Sequence, residues 1–205
     1  DAEDGLTGWS TFDDGGSYVD GTGGTASNLT FSQNSSSPLR GTYDFDLVVA
    51  AADASGEGVS YDFTIDKADK FSKLSISFDY LTDAPDDFFE IRIYDVTNSQ
   101  IIYPIPQVLD ANSKETKYYS EFQTTDSTSY RFSLFVNDTD ATGYTINYDN
   151  VKVGPEKKII GTPVTDWEEY TPAVTNLTVG NGTLYFRHRR VGDTAEIDGF
   201  FKLGS

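Results

Sequence analysis

The sequence predicts an all-β fold: an antiparallel jelly-roll β-sandwich followed by a short β-hairpin-rich segment. Three observations carry this reading. Apolar residues alternate with polar ones along much of the chain, the period-2 signature of half-buried strands. No window shows a 3.6-residue period of helical length, and turn-forming clusters recur roughly every 8–12 residues, as in sandwiches and barrels. Aromatics supply 14 % of the 205 residues, with 13 Tyr and 14 Phe, so a hydrophobic content of 37 % still furnishes a core.

In chain order, residues 10–43 are rich in Gly, Ser, Thr and Asn and read as short strands joined by exposed turns. The stretch 58–65 places Val59, Tyr61, Phe63 and Ile65 on one face. The next, 73–81, does the same with Leu74, Ile76, Phe78 and Tyr80. Phe89, Ile91 and Ile93 align within 87–96, Tyr118 pairs with Phe122 in 117–124, and 129–136 aligns Tyr130, Phe132, Leu134 and Val136. In 144–153 the apolar parity changes, from Tyr144, Ile146 and Tyr148 to Val151 and Val153. Holding both sets in one core requires an extra residue around Asp149–Asn150, a β-bulge. About nine strands ending near residue 153 make up the sandwich.

A boundary follows. Prolines at 155, 163 and 172 flank a charged stretch, dividing the chain into a sandwich at 1–155 and a linker plus β-rich connecting segment at 156–205. In the second part, strand 183–191 turns at Gly192-Asp193 into strand 194–203. A lone hairpin is marginal in water, so this segment is expected to pack on something else.

The charge is uneven. The whole chain carries −18, of which residues 1–155 contribute −17, with 9 Lys/Arg against 26 Asp/Glu. A polyanion would be repelled, which excludes nucleic acid as the ligand of the sandwich. No apolar run approaches the ~18 residues of a membrane span. Cys is absent, which excludes disulfides and thiolate metal sites, and Met is absent even at position 1, which points to a chain that is not a complete translation product.

Catalytic chemistry is poorly provided for. The single His, His188 in "RHRR", cannot supply a two-His metal site, and it sits in the connecting segment, where no cleft is expected. The carboxylate pairs Asp13-Asp14, Asp86-Asp87 and Glu168-Glu169 are adjacent in sequence, not set across a cleft as glycoside hydrolysis demands. The chain is therefore not expected to be an enzyme. Sugar binding has a better basis. Arg92, Tyr94, Tyr119, Arg131 and Phe135 occupy positions that alternate with the core residues and so face outward. Aromatics on such a surface can stack on pyranose rings while neighbouring polar groups fix orientation. The same residues also suit an ordinary exposed face or a subunit contact, and the sequence does not say which strands share a sheet.

Several stretches resemble a module that recurs in virion structural proteins of marine and cyanobacterial tailed phages. They are "DGTGGTASNLTFSQNSSSPLRG", "GEGVSYDFTIDKADK", "LSISFDYLTDAPDDFFEIRIYDVTNSQII", "YRFSLFVNDT" and "INYDNVKVGP". "GTPVTDWEEYTP" and "RHRRVGDTAEIDGFF" resemble the segment that follows it in those proteins. The module in turn is similar to jelly-roll carbohydrate-binding modules. This resemblance implies a tail-fibre or head-fibre protein on the virion surface, adhering to host surface glycan and contacting other virion proteins, as a homo-oligomer of the trimeric kind common there. Two alternatives are a capsid decoration protein without ligand and the binding module of a glycan depolymerase. The same resemblance implies a structural Ca²⁺ where the first strand meets the last, with Glu3 and Asp149 as ligands. Calcium takes 6–8 oxygen ligands, and a bulge at Asp149 would turn a carboxylate and carbonyls toward one point. It further implies that the chain is a fragment, truncated before an opening strand and after residue 205.

Overall fold

The computed structural model describes residues 2–15, 20–102, 107–155, 165–173, 180–191, 194–202 and 204. The chain divides into two compact units, Asp1–Glu156 and Lys157–Ser205. In the first unit the strands are β1 (Trp9–Asp13), β2 (Leu29–Asn34), β3 (Asp44–Val49), β4 (Glu57–Thr64), β5 (Lys73–Thr82) and β6 (Phe89–Asp95). They continue with β7 (Gln100–Ile101), β8 (Gln107–Val108), β9 (Asn112–Gln123), β10 (Ser129–Val136) and β11 (Thr145–Gly154). The second unit holds β12 (Glu168–Tyr170), β13 (Thr183–Val191) and β14 (Thr194–Lys202). Short 3-10 turns at Ala2–Asp4 and Lys67–Asp69 are the described helical elements.

The first unit is a jelly-roll β-sandwich of two antiparallel sheets. One sheet runs β1-β4-β10-β6-β7, with β8 also paired to β6; the other runs β2-β3-β11-β5-β9. The alternation that predicts the strands also sets which side chains meet. Leu74, Ile76, Phe78 and Tyr80 of β5 face Tyr130, Phe132, Leu134 and Val136 of β10 in a single buried cluster. Burying each such side chain stabilises the fold by about 1.5–3 kcal/mol before entropy is counted. Trp9 of β1 joins this core, within 5.1 Å of the Phe45 ring and 5.8 Å of the Tyr148 ring.

The predicted parity change in the last strand is a bulge. β11 pairs with β5 through Asp149↔Asp79, then resumes at Lys152↔Ser77. Asn150 absorbs the extra residue with a φ of 55°, in the left-handed region where Asn is among the tolerated side chains. Tyr148 before the bulge is fully buried, while Val151 and Val153 after it are half-buried against the same core.

The second unit is a three-stranded sheet, β12-β13-β14, with β13 and β14 in register from Thr183↔Lys202 to Val191↔Thr194. The turn expected at Gly192-Asp193 lies outside the described residues.

Candidate functional site

Four of the five outward-facing residues predicted from the sequence lie on the outer face of the β4/β10/β6 sheet: Arg92 and Tyr94 on β6, Arg131 and Phe135 on β10. Tyr119 does not join them. It sits on β9 in the opposite sheet, 49 % exposed. The five residues therefore do not make one surface.

Two of them are not exposed either. Phe135 is 1 % and Tyr94 7 % exposed, which corrects the expectation of solvent-facing stacking platforms. For Phe135 the reason is a second small apolar cluster on the outer face, in which it packs against Phe12 of β1 at a centroid distance of 6.5 Å. Gly58 on β4 makes this possible. A Cβ there would stand 2.7 Å from the Cα of Phe135 and closer still to its Cβ. The Arg92 guanidinium lies 4.7 Å from the Phe135 ring centroid and pairs with Glu90 at 2.6 Å. Arg92 thus acts as a lid on an aromatic ring. The signal in the sequence is the placement of Phe12, on the opposite parity to Trp9; that Gly58 faces Phe135 follows only from the pairing of β10 with β4.

Arg131 lines a built recess, with its side chain 13 % exposed. Its guanidinium forks onto Asp62, with Nε–Oδ1 at 2.6 Å and Nη2–Oδ2 at 3.1 Å, and Nη1 donates to the Asp20 carbonyl at 3.1 Å. The Asp62 carboxylate raises the already high Arg131 pKa. A glycine-rich loop, residues 20–24, folds over the sheet beside it. The Asp14 carboxylate organises that loop by accepting the backbone N–H groups of Asp20 (3.0 Å), Gly21 (2.6 Å) and Gly23 (2.6 Å). Gly21 has a φ of 78°, and a Cβ there would lie 2.8 Å from both Arg131 Cδ and Ser133 Oγ, so only glycine fits. Together Ser10, Ser60, Asp62, Arg131 and the loop enclose a polar recess of about 400 Å³. The Ser133 hydroxyl lies buried beneath Gly21 without a hydrogen-bond partner.

The second candidate is the place where the N-terminal turn meets the bulge. Ala2 is fully buried, and its N–H donates to Asp149 Oδ1 at 3.2 Å. Glu3 Oε1 accepts from the Thr42 N–H (2.5 Å) and the Tyr43 N–H (3.0 Å), and these two amides hold its pKa below the ordinary carboxylate range. Glu3 and Asp149 thus flank the same corner. Sequence reasoning missed two further carboxylates there. Asp44, one register step on from the Tyr148↔Phe45 pair, is fully buried, and Asp46 follows on the same face of β3. Burial raises the Asp44 pKa against hydrogen bonds from the Leu39 N–H and Asn34 Nδ2, and the Asp149 charge raises it further. Burial and then the Asp44 charge raise Asp46, whose Oδ1 has no partner. The legible signal was "YDFDL", two Asp residues at alternate positions beside buried Phe45 and Leu47. Among the described residues no three His, Cys, Asp or Glu side chains converge as a metal cluster, so an ion here would also need main-chain oxygens.

No protein-family model matches the sequence, and no curated protein matches it. Solved structures with the same fold are found. A CBM4 module shares 14 % identity, aligning over 76 % of this chain and 100 % of its own, at a TM-score of 0.51. The CBM22-1 xylan-binding domain of Xyn10C from Paenibacillus barcinonensis shares 14 %, over 72 % of this chain and 85 % of its own, at 0.50. The enzymatically active domain of tailspike protein 4 from bacteriophage CBA120 shares 15 %, over 73 % of this chain and 19 % of its own, at 0.50. The sandwich has the jelly-roll fold of carbohydrate-binding modules.

Proposed function

We propose that the sandwich is a non-catalytic glycan-binding module of a virion-surface fibre protein, which would attach the particle to host surface polysaccharide as one subunit of an oligomer. The observation that carries the binding reading is the polar recess around Arg131. Its guanidinium is fixed in place by Asp62, exposed Ser10 lines the same recess, and the buried Ser60 hydroxyl donates to the Gly21 carbonyl and so holds the glycine loop in place. Three of the five guanidinium N–H groups are donated to Asp62 and Asp20; the two left over, held in orientation by those bonds, and the exposed Asp62 carboxylate suit the vicinal hydroxyls of a sugar ring, at little ordering cost on binding. The fold of carbohydrate-binding modules agrees with this reading. The fibre assignment rests on the sequence stretches that resemble phage virion proteins.

A structural Ca²⁺ at the N-terminal corner belongs to the same proposal. Asp149 and Glu3 would hold it, with Asp44 beside them. Two neighbouring buried carboxylates, one raised by burial and by the other's charge, are a donor set that a hard cation would relieve.

The glycan reading is tested by titrating the protein with xylan oligosaccharides and bacterial envelope polysaccharides. Arg131→Ala and Asp62→Ala should each weaken binding by about tenfold or more, the scale of a lost charge-assisted hydrogen bond. Tyr119→Ala, on the opposite sheet, should leave it unchanged. Absence of binding to any glycan would overturn the proposal, and loss only in Tyr119→Ala would move the site to the other sheet.

A further inference from the structure

The recess around Arg131 is not electrically balanced. Arg131 is its cation, and the carboxylates of Asp62, Asp20 and Asp14 all act on that guanidinium. One cation against three carboxylates leaves a formal net of −2. Hydrogen bonding does not discharge them. Asp14 accepts three backbone N–H groups of the glycine loop. Asp20 Oδ1 accepts from the Thr22 N–H at 3.0 Å and the Thr22 hydroxyl at 2.6 Å. All of these donors are neutral. Arg92, opposite Ser133 on the same outer face, is held by Glu90 at 2.6 Å, so that pair brings no net charge. Gly16, Ser17, Tyr18 and Val19 carry none either.

The free hydrogen-bonding positions complete the picture. Asp62 is the exposed carboxylate, with a side chain 62 % accessible. Each of its oxygens accepts one Arg131 N–H, at 2.6 and 3.1 Å, and a carboxylate oxygen can accept two. Among the described residues, Asp62 therefore keeps an acceptor position on each oxygen, beside the two unused N–H groups of Arg131. Resting on the glycan reading of this recess, we propose that the sugar it takes is a hexosamine with a free amino group. The ammonium donates to Asp62 and the neighbouring ring hydroxyl accepts from Arg131, so one vicinal amino alcohol fills both kinds of position. A uronic acid also matches the shape of two guanidinium N–H groups, but its carboxylate would enter beside three others. An N-acetylated sugar keeps the ring and loses the attraction.

The test titrates the full 205-residue chain with glucosamine and galactosamine oligosaccharides, the same chains N-acetylated, and an oligoglucuronate, at a pH where the amines are charged. The free amines should bind about fivefold more tightly than their N-acetyl forms, the scale of one exposed charge pair, and the oligoglucuronate least tightly. Asp62→Asn should abolish the preference for the amine. Asp20→Asn keeps the carbonyl that Arg131 bonds and should reduce the same preference, so the test stands if Asp62→Asn fails to fold. A preference undiminished in the folded variants would mean attraction to the acidic sandwich at large, and would overturn the inference. Equal or tighter binding of the N-acetyl forms or the oligoglucuronate, or binding confined to other neutral glycans, would overturn it with the glycan reading intact. Absence of binding to any sugar would overturn both.

Discussion

At the scale of single residues, the interior is decided by how each buried polar atom is satisfied. Tyr148 is fully buried among Trp9, Phe31 and Phe45, and its hydroxyl has no partner; burial pushes its pKa well above the usual value. An unpaired buried hydroxyl costs about 1–3 kcal/mol. Tyr148→Phe keeps the ring and removes the cost, so it should stabilise the protein by about 1 kcal/mol in urea denaturation. A loss of stability would mean that the hydroxyl is bonded in solution. Asp44 and Asp46 at the N-terminal corner behave oppositely to salt-bridged carboxylates. Asp44 has a raised folded pKa, so the native state holds its proton more tightly than the unfolded chain does. In calcium-free protein this group therefore lowers stability as pH rises from the ordinary carboxylate value through the raised one. Bound calcium should offset that penalty, by about 2.7 kcal/mol at a hundredfold excess over its dissociation constant. Chelation should lower the melting temperature above this pH window, and Asp149→Asn should abolish the sensitivity. Identical melts with and without chelator in metal-stripped protein would sink the calcium proposal.

At the scale of elements, alternation made the inward faces legible and left the outward faces illegible. Tyr130, Phe132, Leu134 and Val136 are all buried as their spacing implies, and the parity change after Tyr148 located the bulge to the residue pair. Phe135 failed for a physical reason. Period 2 says which face a side chain takes, but not what covers that face, and here Phe12 and Arg92 cover it. Nor does alternation within one strand order the strands. Only the pairing of β10 with β4 and β6 brings Arg131 to Asp62, and only the placement of β9 in the other sheet separates Tyr119 from both. The Asp14-centred loop was illegible because its geometry depends on backbone amides seven and nine residues away. The outer cluster has its own test. Gly58→Ala drives a methyl group into Phe135, and overpacking of this kind costs about 1–3 kcal/mol. The methyl meets the Leu134 carbonyl and the Cα and Cβ of Phe135, which leucine keeps, so Phe135→Leu should recover none of the loss and the two costs should add; recovery would show that the ring and not the backbone approach is the cause.

At the scale of the whole molecule, the two units differ in how they can be stable. The sandwich buries side chains from every long strand into one cluster. Among the described residues of Lys157–Ser205, none is buried, and Ile197 and Phe200 of β14 are 62 % and 54 % exposed. Pairing of β13 with β14 places Leu184, Phe186, Ile197 and Phe201 on one face, and Tyr185 with Phe200 on the other. Ion pairs of Arg187 with Asp198 and Arg189 with Glu196, both stacked on Trp167, contribute little at such exposure, ~0–1 kcal/mol each. A sheet of this size cannot hold itself together without an apolar partner. Residues 1–156 made alone should therefore melt cooperatively, and residues 157–205 made alone should show no cooperative melt at low concentration. Charge argues for where copies of the chain would meet. Residues 1–155 carry −17 and repel their like, whereas 156–205 carry 6 Lys/Arg against 7 Asp/Glu, a net of −1. Self-association through β14 should then rise with protein concentration and with salt, which screens the repulsion between sandwiches over about 10 Å at 0.1 M. Sedimentation of the full chain checks both dependences. A monomer at every concentration and salt, with a cooperative melt of 157–205 alone, would show that the small sheet needs no partner.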